Sequence, residues 1–306
     1  MQEVASDLNI SVNKVAEGSF ISDFKKLIKL RLTFLVVFSA SVSFLIGSRE
    51  QELVTWSNWL MLTIGGFLVT GAANGFNEII EKDLDKLMSR TSDRPIPAGR
   101  MTTGQALVLS LSMGLVGTLV LMRLNVLTGV LALFSILLYA FVYTPSKRKS
   151  PVAAFIGAFP GALPPLIGYF ASFDRPQISW VPIVLFLIQF VWQFPHFWSI
   201  AWVLDDDYKK AGFRLLPSQK RDKTSAWFTA ASTFILIPVS LLPTIMGFGG
   251  YTVGAVSLIC SLFFCWYGIN LSRKLDIASA KQVMFCSFIY LPVVQLVLLF
   301  DFIVKI

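Results

Sequence analysis

The chain has 306 residues, of which 55% are hydrophobic and only 14% are charged, and its net charge is +8. Soluble domains carry about 25% charged residues, so this composition excludes an ordinary soluble fold and predicts an integral membrane protein. The positive charge does not indicate nucleic-acid binding, because Lys and Arg fall in short stretches between apolar segments and form no basic face on a soluble domain.

The chain divides into a polar N-terminal tail, residues 1–22, and one membrane domain, residues 23–306. The tail contains Glu3, Asp7 and Glu17 but no arginine. It has neither the apolar core of a signal peptide nor the Arg-rich, acid-poor character of a transit peptide. We therefore expect the first apolar segment to be retained as a membrane span.

Nine segments are long and apolar enough to cross a bilayer about 30 Å thick, which takes about 20 helical residues. Backbone polar groups in lipid must be satisfied within their own segment, so each of these segments is expected to be a helix. The predicted fold class is an all-α integral membrane bundle of nine transmembrane helices, at residues 32–48, 58–77, 106–122, 126–143, 151–173, 180–204, 226–247, 250–271 and 283–304.

The distribution of basic residues orients this bundle. Of the 26 Lys and Arg residues, only Arg49, Arg123, Arg175 and Lys305 fall on the side opposite the N-terminal tail. Cytoplasmic loops carry the excess of Lys and Arg, so the sequence predicts a cytoplasmic N-terminus and a C-terminus on the other side.

An acidic stretch follows the second span. Asn77, Glu81 and Asp85 are spaced i, i+4, i+8, so a helix places them on one face, and Asp83 adds a nearby carboxylate. Oxygen ligands of this kind are what a divalent metal bridging to a polyphosphate requires. The alternative is a solvated, mixed-charge loop beside the membrane.

A second acidic stretch, with Asp206 and Asp207, ends the sixth span. Four spans separate the two stretches, so both are expected on the cytoplasmic face, where together they could hold magnesium on a diphosphate. A polar turn without a ligand is the alternative. Basic candidates for neutralising the diphosphate follow the same spans or lie on the same face: Arg90, Arg94, Lys147 and Arg148.

Span six contains the only histidine of the chain, His196, close to Trp192 and Gln193. Polar residues within spans usually face a cavity, so these side chains are candidates for contacting a substrate. The alternative is a histidine hydrogen-bonded within the bundle, since one histidine cannot build a metal site unaided. The three cysteines lie in apolar segments and are expected to be structural thiols.

Four pieces of this sequence resemble the UbiA-type intramembrane prenyltransferases, and within that family the branch that farnesylates heme. The resemblance covers residues 29–301, and its most specific piece is the Trp-Gln-Phe-Pro-His run. Glu81 departs from the family pattern, which usually has Asp there, so the carboxylate stands on a longer arm. The four pieces are Asn77 through Arg94; Tyr143-Thr-Pro with Pro164-Pro165-Leu-Ile-Gly168; Trp192 through Trp198; and Asp206 through Pro217.

The resemblance implies a helix bundle around a central cavity in a bacterial plasma (inner) membrane. It also implies Mg²⁺ as cofactor, farnesyl diphosphate and heme b as substrates, and a heme A synthase or oxidase assembly as a downstream partner. The metal ligands that it implies are Asn77, Glu81, Asp83, Asp85, Asp206 and Asp207. The residues that it implies around the acceptor are Tyr143, Trp192, Gln193 and His196.

Two alternatives stay open at this point. One is a sibling prenyltransferase that acts on an aromatic or other polycyclic acceptor. The other is a membrane transporter or heme-binding protein without chemistry.

Overall fold

The computed structural model describes residues 19–176 and 179–304. Within these ranges nine helices are long and apolar enough to cross a membrane, which confirms the predicted number of spans and makes the chain a multi-pass membrane protein. They are α2 (Leu30–Glu50), α3 (Trp56–Asp85), α4 (Thr103–Leu124), α5 (Val126–Ser146), α6 (Ala153–Ala171), α7 (Trp180–Val203), α9 (Lys223–Ile245), α10 (Tyr251–Lys274) and α11 (Ile277–Val304).

Two short helices at the boundary of the bundle complete the fold: α1 (Phe20–Leu27) and α8 (Asp205–Lys210). Helix α1 is amphipathic, with exposed Phe20 and Ile21 and a buried Asp23 that accepts a hydrogen bond from Arg100 at 2.8 Å. The start of this helix lies in what the sequence predicted as the polar tail, residues 1–22. Residues 1–18 of that tail lie outside the described ranges. Eight residues with mixed polarity give no span signal, which is why α1 was missed.

The spans form a closed ring in which each helix contacts the next, and α11 packs against α2. Inside the ring, α2, α6, α7 and α11 contact one another in turn. Small residues allow the closest approaches: a Cβ atom on Gly168 in α6 would lie 1.9 Å from the carbonyl oxygen of Ala40 in α2. This backbone contact fixes the distance between two helices that line the centre of the bundle.

Helix α3 is longer than predicted at its acidic end. The predicted span stopped at residue 77, but the helix continues to Asp85. Glu81 and Asp85 therefore lie on the helix rather than in a loop, and both are buried. The continuation is possible because cations from other elements compensate the buried carboxylates.

Gly168→Ala tests the contact between α2 and α6. The added methyl group must displace the backbone of Ala40, so we expect a loss of at least about 1–3 kcal/mol of stability. Gly114→Ala is the matched control, because its Cβ would meet the Ala72 Cβ at an ordinary 3.5 Å. Thermal unfolding in detergent measures the melting temperatures of the two variants. Equal melting temperatures would contradict a close backbone contact between α2 and α6 at Gly168.

Candidate active site

One face of α3 carries three buried oxygen-bearing side chains, each paired with a cation from a different element. Lys29 donates to Oδ1 of Asn77 at 2.6 Å. Glu81 pairs with Lys147 at 2.9 Å, and Asp85 pairs with Arg94 at 2.5 Å. The structure therefore confirms that Asn77, Glu81 and Asp85 lie on one helical face. This face connects α3 to the residue before α2, the loop after α5 and the loop after α3.

The pair between Glu81 and Lys147 is the most enclosed of these contacts. Burial works to lower the pKa of Lys147, but the adjacent Glu81 carboxylate outweighs it, so the pKa lies above its ordinary value. The ammonium group also lies 4.9 Å from the ring centroid of Tyr143 and 5.6 Å from that of Phe213. Lys147 is thus held as a cation at a fixed position.

Lys29 is a residue of this site that the sequence pattern did not predict. It joins α1 to α2 with a left-handed backbone (φ 48°), which turns its side chain toward α3. Burial, followed by the charges of Arg94 and Lys147, holds its pKa well below the ordinary value. Its signal in the sequence was weak, because a lysine ahead of a first span is also what topology alone would require.

The acid face has the donor set for a divalent metal, although no three carboxylate, histidine or cysteine side chains in residues 19–176 and 179–304 form a closed cage. Two buried oxygens, Asp85 Oδ1 and Glu78 Oε2, have no hydrogen-bond partner. Mg²⁺ prefers oxygen ligands and is usually held by one or two carboxylates with substrate phosphates and water. The residues present fit a metal site that the substrate completes.

The second acidic stretch meets the first through the loop that follows α3. Asp207 accepts hydrogen bonds from the backbone N–H groups of Ser89 and Arg90, at 3.2 and 3.3 Å. Slight burial works to raise the pKa of Asp207, but Lys210 and these N–H groups outweigh it and lower the pKa to about 2. Both stretches therefore lie at the same end of the bundle, with Asp207 ionised.

Four other predicted residues are less enclosed. Asp83 is exposed and pairs with Lys86, and Asp206 is exposed and pairs with Arg221. Neither carboxylate contacts the buried face of α3 in this structure. The side chains of the remaining two, Arg90 and Arg148, are also exposed at this end.

A cavity of about 520 Å³ lies within the bundle next to this charged end. Asn74, about one turn before Asn77 on α3, lines it, as does Tyr143 beside Lys147. None of the described residues that line the cavity carries a carboxylate, ammonium or guanidinium group. The charged cluster therefore lies beside an uncharged chamber.

Prolines shape the wall that α6 contributes. Pro165 has no N–H to donate to the carbonyl of Gly161, and Gln189 donates to that carbonyl instead, at 2.7 Å. Gln193 donates to the carbonyl of Ala158 at 2.9 Å, and its side chain occupies the space that a Cβ on Gly161 would fill. The side-chain amides of both glutamines thus donate to backbone carbonyls, and hydrogen bonds of this kind satisfy backbone groups within a membrane.

The end of α5 is wound as a π-helix from Leu138 to Tyr143, just before Pro145. This winding puts the rings of Tyr139 and Tyr143 together, with centroids 5.4 Å apart, and both line the cavity. Thr144 closes the turn, since its hydroxyl donates to the Tyr139 carbonyl and accepts from Asn77. π-helical turns are frequent at functional sites, and this one links the acid face to the chamber.

Trp192 and His196 occupy the wall formed by α7. Their rings stack with centroids 4.4 Å apart, and both residues line the cavity. The structure thus places Tyr143, Trp192, Gln193 and His196, the four residues expected around an acceptor, on one chamber.

A family model described as the UbiA prenyltransferase family matches residues 36–290. The chain belongs to the UbiA prenyltransferase family. Among its relatives are the protoheme IX farnesyltransferases of Cytophaga hutchinsonii, 44% identical over 90% of this chain and 96% of the relative, and of Christiangramia forsetii, 41% identical over 93% and 94%.

Solved structures support the fold of this family member. A digeranylgeranylglyceryl phosphate synthase has a TM-score of 0.77 at 20% identity, covering 94% of this chain and 99% of that one. A UbiA homolog from Archaeoglobus fulgidus bound to GPP and Mg²⁺ has a TM-score of 0.65 at 13% identity, covering 90% and 99%. At these identities the likeness concerns the fold alone.

Removing Lys147 tests the buried pair. Lys147→Met leaves the Glu81 carboxylate buried without its ion-pair partner, so we expect a loss of about 3–5 kcal/mol of stability. The double variant Lys147→Met/Glu81→Gln removes the orphaned charge and should regain most of that stability. Thermal unfolding of the three proteins in detergent measures the coupling, and strictly additive losses would contradict a buried ion pair.

Proposed function

We propose that this protein transfers a farnesyl group from farnesyl diphosphate to a vinyl carbon of heme b, giving heme O. The observation that carries the proposal is that the site has two different parts. One is an uncharged chamber lined partly by aromatic side chains. The other, which we call the rim, consists of the paired residues at the end of α3: Asn77 with Lys29, Glu81 with Lys147, and Asp85 with Arg94. A substrate with a diphosphate head and an apolar tail matches both halves. The 44% identity to a protein named protoheme IX farnesyltransferase supports the choice of acceptor.

The rim would bind the diphosphate. Asn77, Glu81, Asp85 and Asp207 supply the oxygen ligands for Mg²⁺, which neutralises charge on the leaving diphosphate when bound. The cations that now pair with these side chains lie within reach of the same phosphate oxygens. We assign Lys29, Arg94 and Lys147 to diphosphate binding, and we place the exposed Asp83, Asp206, Arg90 and Arg148 at its outer edge.

The chamber would host the reaction. The bond between C1 of the farnesyl group and the diphosphate oxygen breaks, and its electron pair leaves with the diphosphate. The vinyl group of the porphyrin then forms a bond to C1, and water captures the positive charge that results on the porphyrin side and loses a proton. Tyr139, Tyr143 and Trp192 shield the first cation from water and stabilise it through their ring faces.

The orientation in the membrane follows from the loops. The rim lies at the end where the basic loops cluster, so we place the diphosphate site on the cytoplasmic side of a bacterial plasma membrane. The farnesyl diphosphate head would then enter from the cytoplasm, and the tail would lie within the bilayer.

Product analysis tests this function. Purified protein with heme b, farnesyl diphosphate and Mg²⁺ should give heme O and one diphosphate per turnover, detected by mass spectrometry. Asp85→Asn should lower kcat/KM at least about 100-fold, whereas Asp174→Asn, an exposed acid outside the rim, should not. A farnesylated aromatic acceptor in place of heme O would indicate the sibling activity, and binding without diphosphate release would indicate a transporter or heme carrier.

The paired rim also predicts that metal and diphosphate bind together. Mg²⁺ alone must compete with Lys147 and Arg94 for their carboxylates, but a bound diphosphate would draw those cations away. We expect pyrophosphate to tighten Mg²⁺ binding at least about 10-fold, and Mg²⁺ to tighten pyrophosphate binding equally, because coupling is reciprocal. Titration calorimetry in detergent, corrected for the Mg²⁺–pyrophosphate complex in solution, measures both.

A variant gives this coupling a sharper form. Arg94→Gln frees the Asp85 carboxylate, so Mg²⁺ alone should bind more tightly while pyrophosphate alone binds more weakly. Equal Mg²⁺ affinity of the unaltered protein with and without pyrophosphate would refute the exchange of partners.

A further inference from the structure

The hydrogen-bond network around His196 determines which ring nitrogen carries the proton. Nδ1 of His196 lies 2.8 Å from the hydroxyl oxygen of Ser287, and that hydroxyl donates its only proton to the carbonyl of Met284 at 2.6 Å. A serine hydroxyl has one proton, so Ser287 must accept from His196. Nδ1 is therefore the N–H, and Nε2 of the neutral imidazole has a free lone pair.

The imidazole is also held in orientation. Trp192 stacks on it with an interplanar angle of 18°, and the indole N–H of Trp192 donates to the backbone carbonyl of Ser287 at 2.9 Å. Phe288 packs edge-on against the imidazole, with ring centroids 5.4 Å apart. Ser287 itself is fully buried and anchors both rings of α7 to α11.

Nε2 is left without a protein partner on the chamber side. No described residue hydrogen bonds to it, and His196 lines the cavity. The described lining contains no carboxylate and no thiol, and a tyrosine would first have to lose its proton to bind iron. A neutral imidazole is ready to bind a metal without that cost.

We infer that Nε2 of His196 binds the iron of the heme acceptor, and that Ser287 is the positioning residue for this ligand. The inference rests on the proposed function, because it needs an iron porphyrin in the chamber. Histidines that bind metals commonly donate their other N–H to an oxygen acceptor, which fixes the tautomer and raises the basicity of the ligating nitrogen. Here Ser287, backed by the Met284 carbonyl, provides that acceptor.

Iron ligation would position the reaction. The macrocycle lies perpendicular to the bond from Nε2 to iron, so one bond places the ring plane and its centre relative to the wall of α7. The porphyrin could still rotate about that bond, and contacts to the polar edge of the porphyrin would have to fix this rotation. The vinyl group would then be held at a fixed distance from the farnesyl C1.

Optical and electron paramagnetic spectra of ferric heme b titrated into the full-length protein in detergent test the inference. The unaltered protein should show an imidazole-ligated iron signature. His196→Ala should lose it and bind heme at least about 10-fold more weakly, and imidazole added to the buffer should restore the signature. Iron-free protoporphyrin IX should bind the unaltered protein and His196→Ala equally.

Variants of Ser287 separate positioning from packing. Ser287→Ala should weaken heme binding about 10-fold with a shifted iron spectrum, while Ser287→Thr, which keeps the hydroxyl, should restore both. Ser232→Ala is the matched control, since this buried serine makes the same type of backbone hydrogen bond, to Thr229 at 2.7 Å, in α9 away from the cavity. It should leave the spectrum unchanged.

The outcomes distinguish this inference from the proposed function. If the unaltered protein makes no heme O, the proposed function fails whatever the spectra show. If it makes heme O but the iron spectrum and heme affinity of His196→Ala match those of the unaltered protein, ligation is refuted. If His196→Ala loses equal affinity for heme and for iron-free protoporphyrin IX, ligation is also refuted, because the histidine would then act by packing.

Discussion

The cost of burying carboxylates at the membrane boundary organises this protein. Glu81 and Asp85 lie inside the bundle on α3, where an unpaired charge would cost several kcal/mol. Their partners, Lys147 and Arg94, come from the loop after α5 and the loop after α3. Those loops must therefore fold back over the end of the bundle, and this brings the charged rim together.

The chamber next to the rim is constrained differently, because its described lining residues carry no carboxylate, ammonium or guanidinium group. Glutamine side chains that line it hydrogen bond to the protein itself: Gln189 satisfies a carbonyl that Pro165 leaves free, and Gln295 donates to Ser39 at 2.7 Å. A wall whose amide groups already have partners attracts little water. The chamber can therefore protect a carbocation while retaining enough polarity to hold its helices in register.

The sequence predicted the parts of this arrangement that depend on local pattern. Nine apolar stretches predicted the nine spans found among the described residues, and the spacing of Asn77, Glu81 and Asp85 predicted one helical face, because helix period and span length are local properties. Lys29 and Ser287 could not be found this way. The left-handed turn that aims Lys29 at α3 and the packing of α11 that brings Ser287 to His196 are tertiary outcomes, and isolated lysines and serines carry no periodic signal.

Function requires that the ion pairs be replaceable as well as stabilising. A carboxylate that stayed bound to its lysine could not hold a metal, and a lysine that stayed bound to its carboxylate could not hold a phosphate. Under the proposed function, the two exchanges of partner would become favourable together, because Mg²⁺ and a diphosphate carry opposite charges and would leave the total charge of the rim nearly balanced. The same pairs that let α3 end inside the bundle without substrate would thus provide, in the proposed enzyme–substrate complex, both the metal ligands and the phosphate-binding cations.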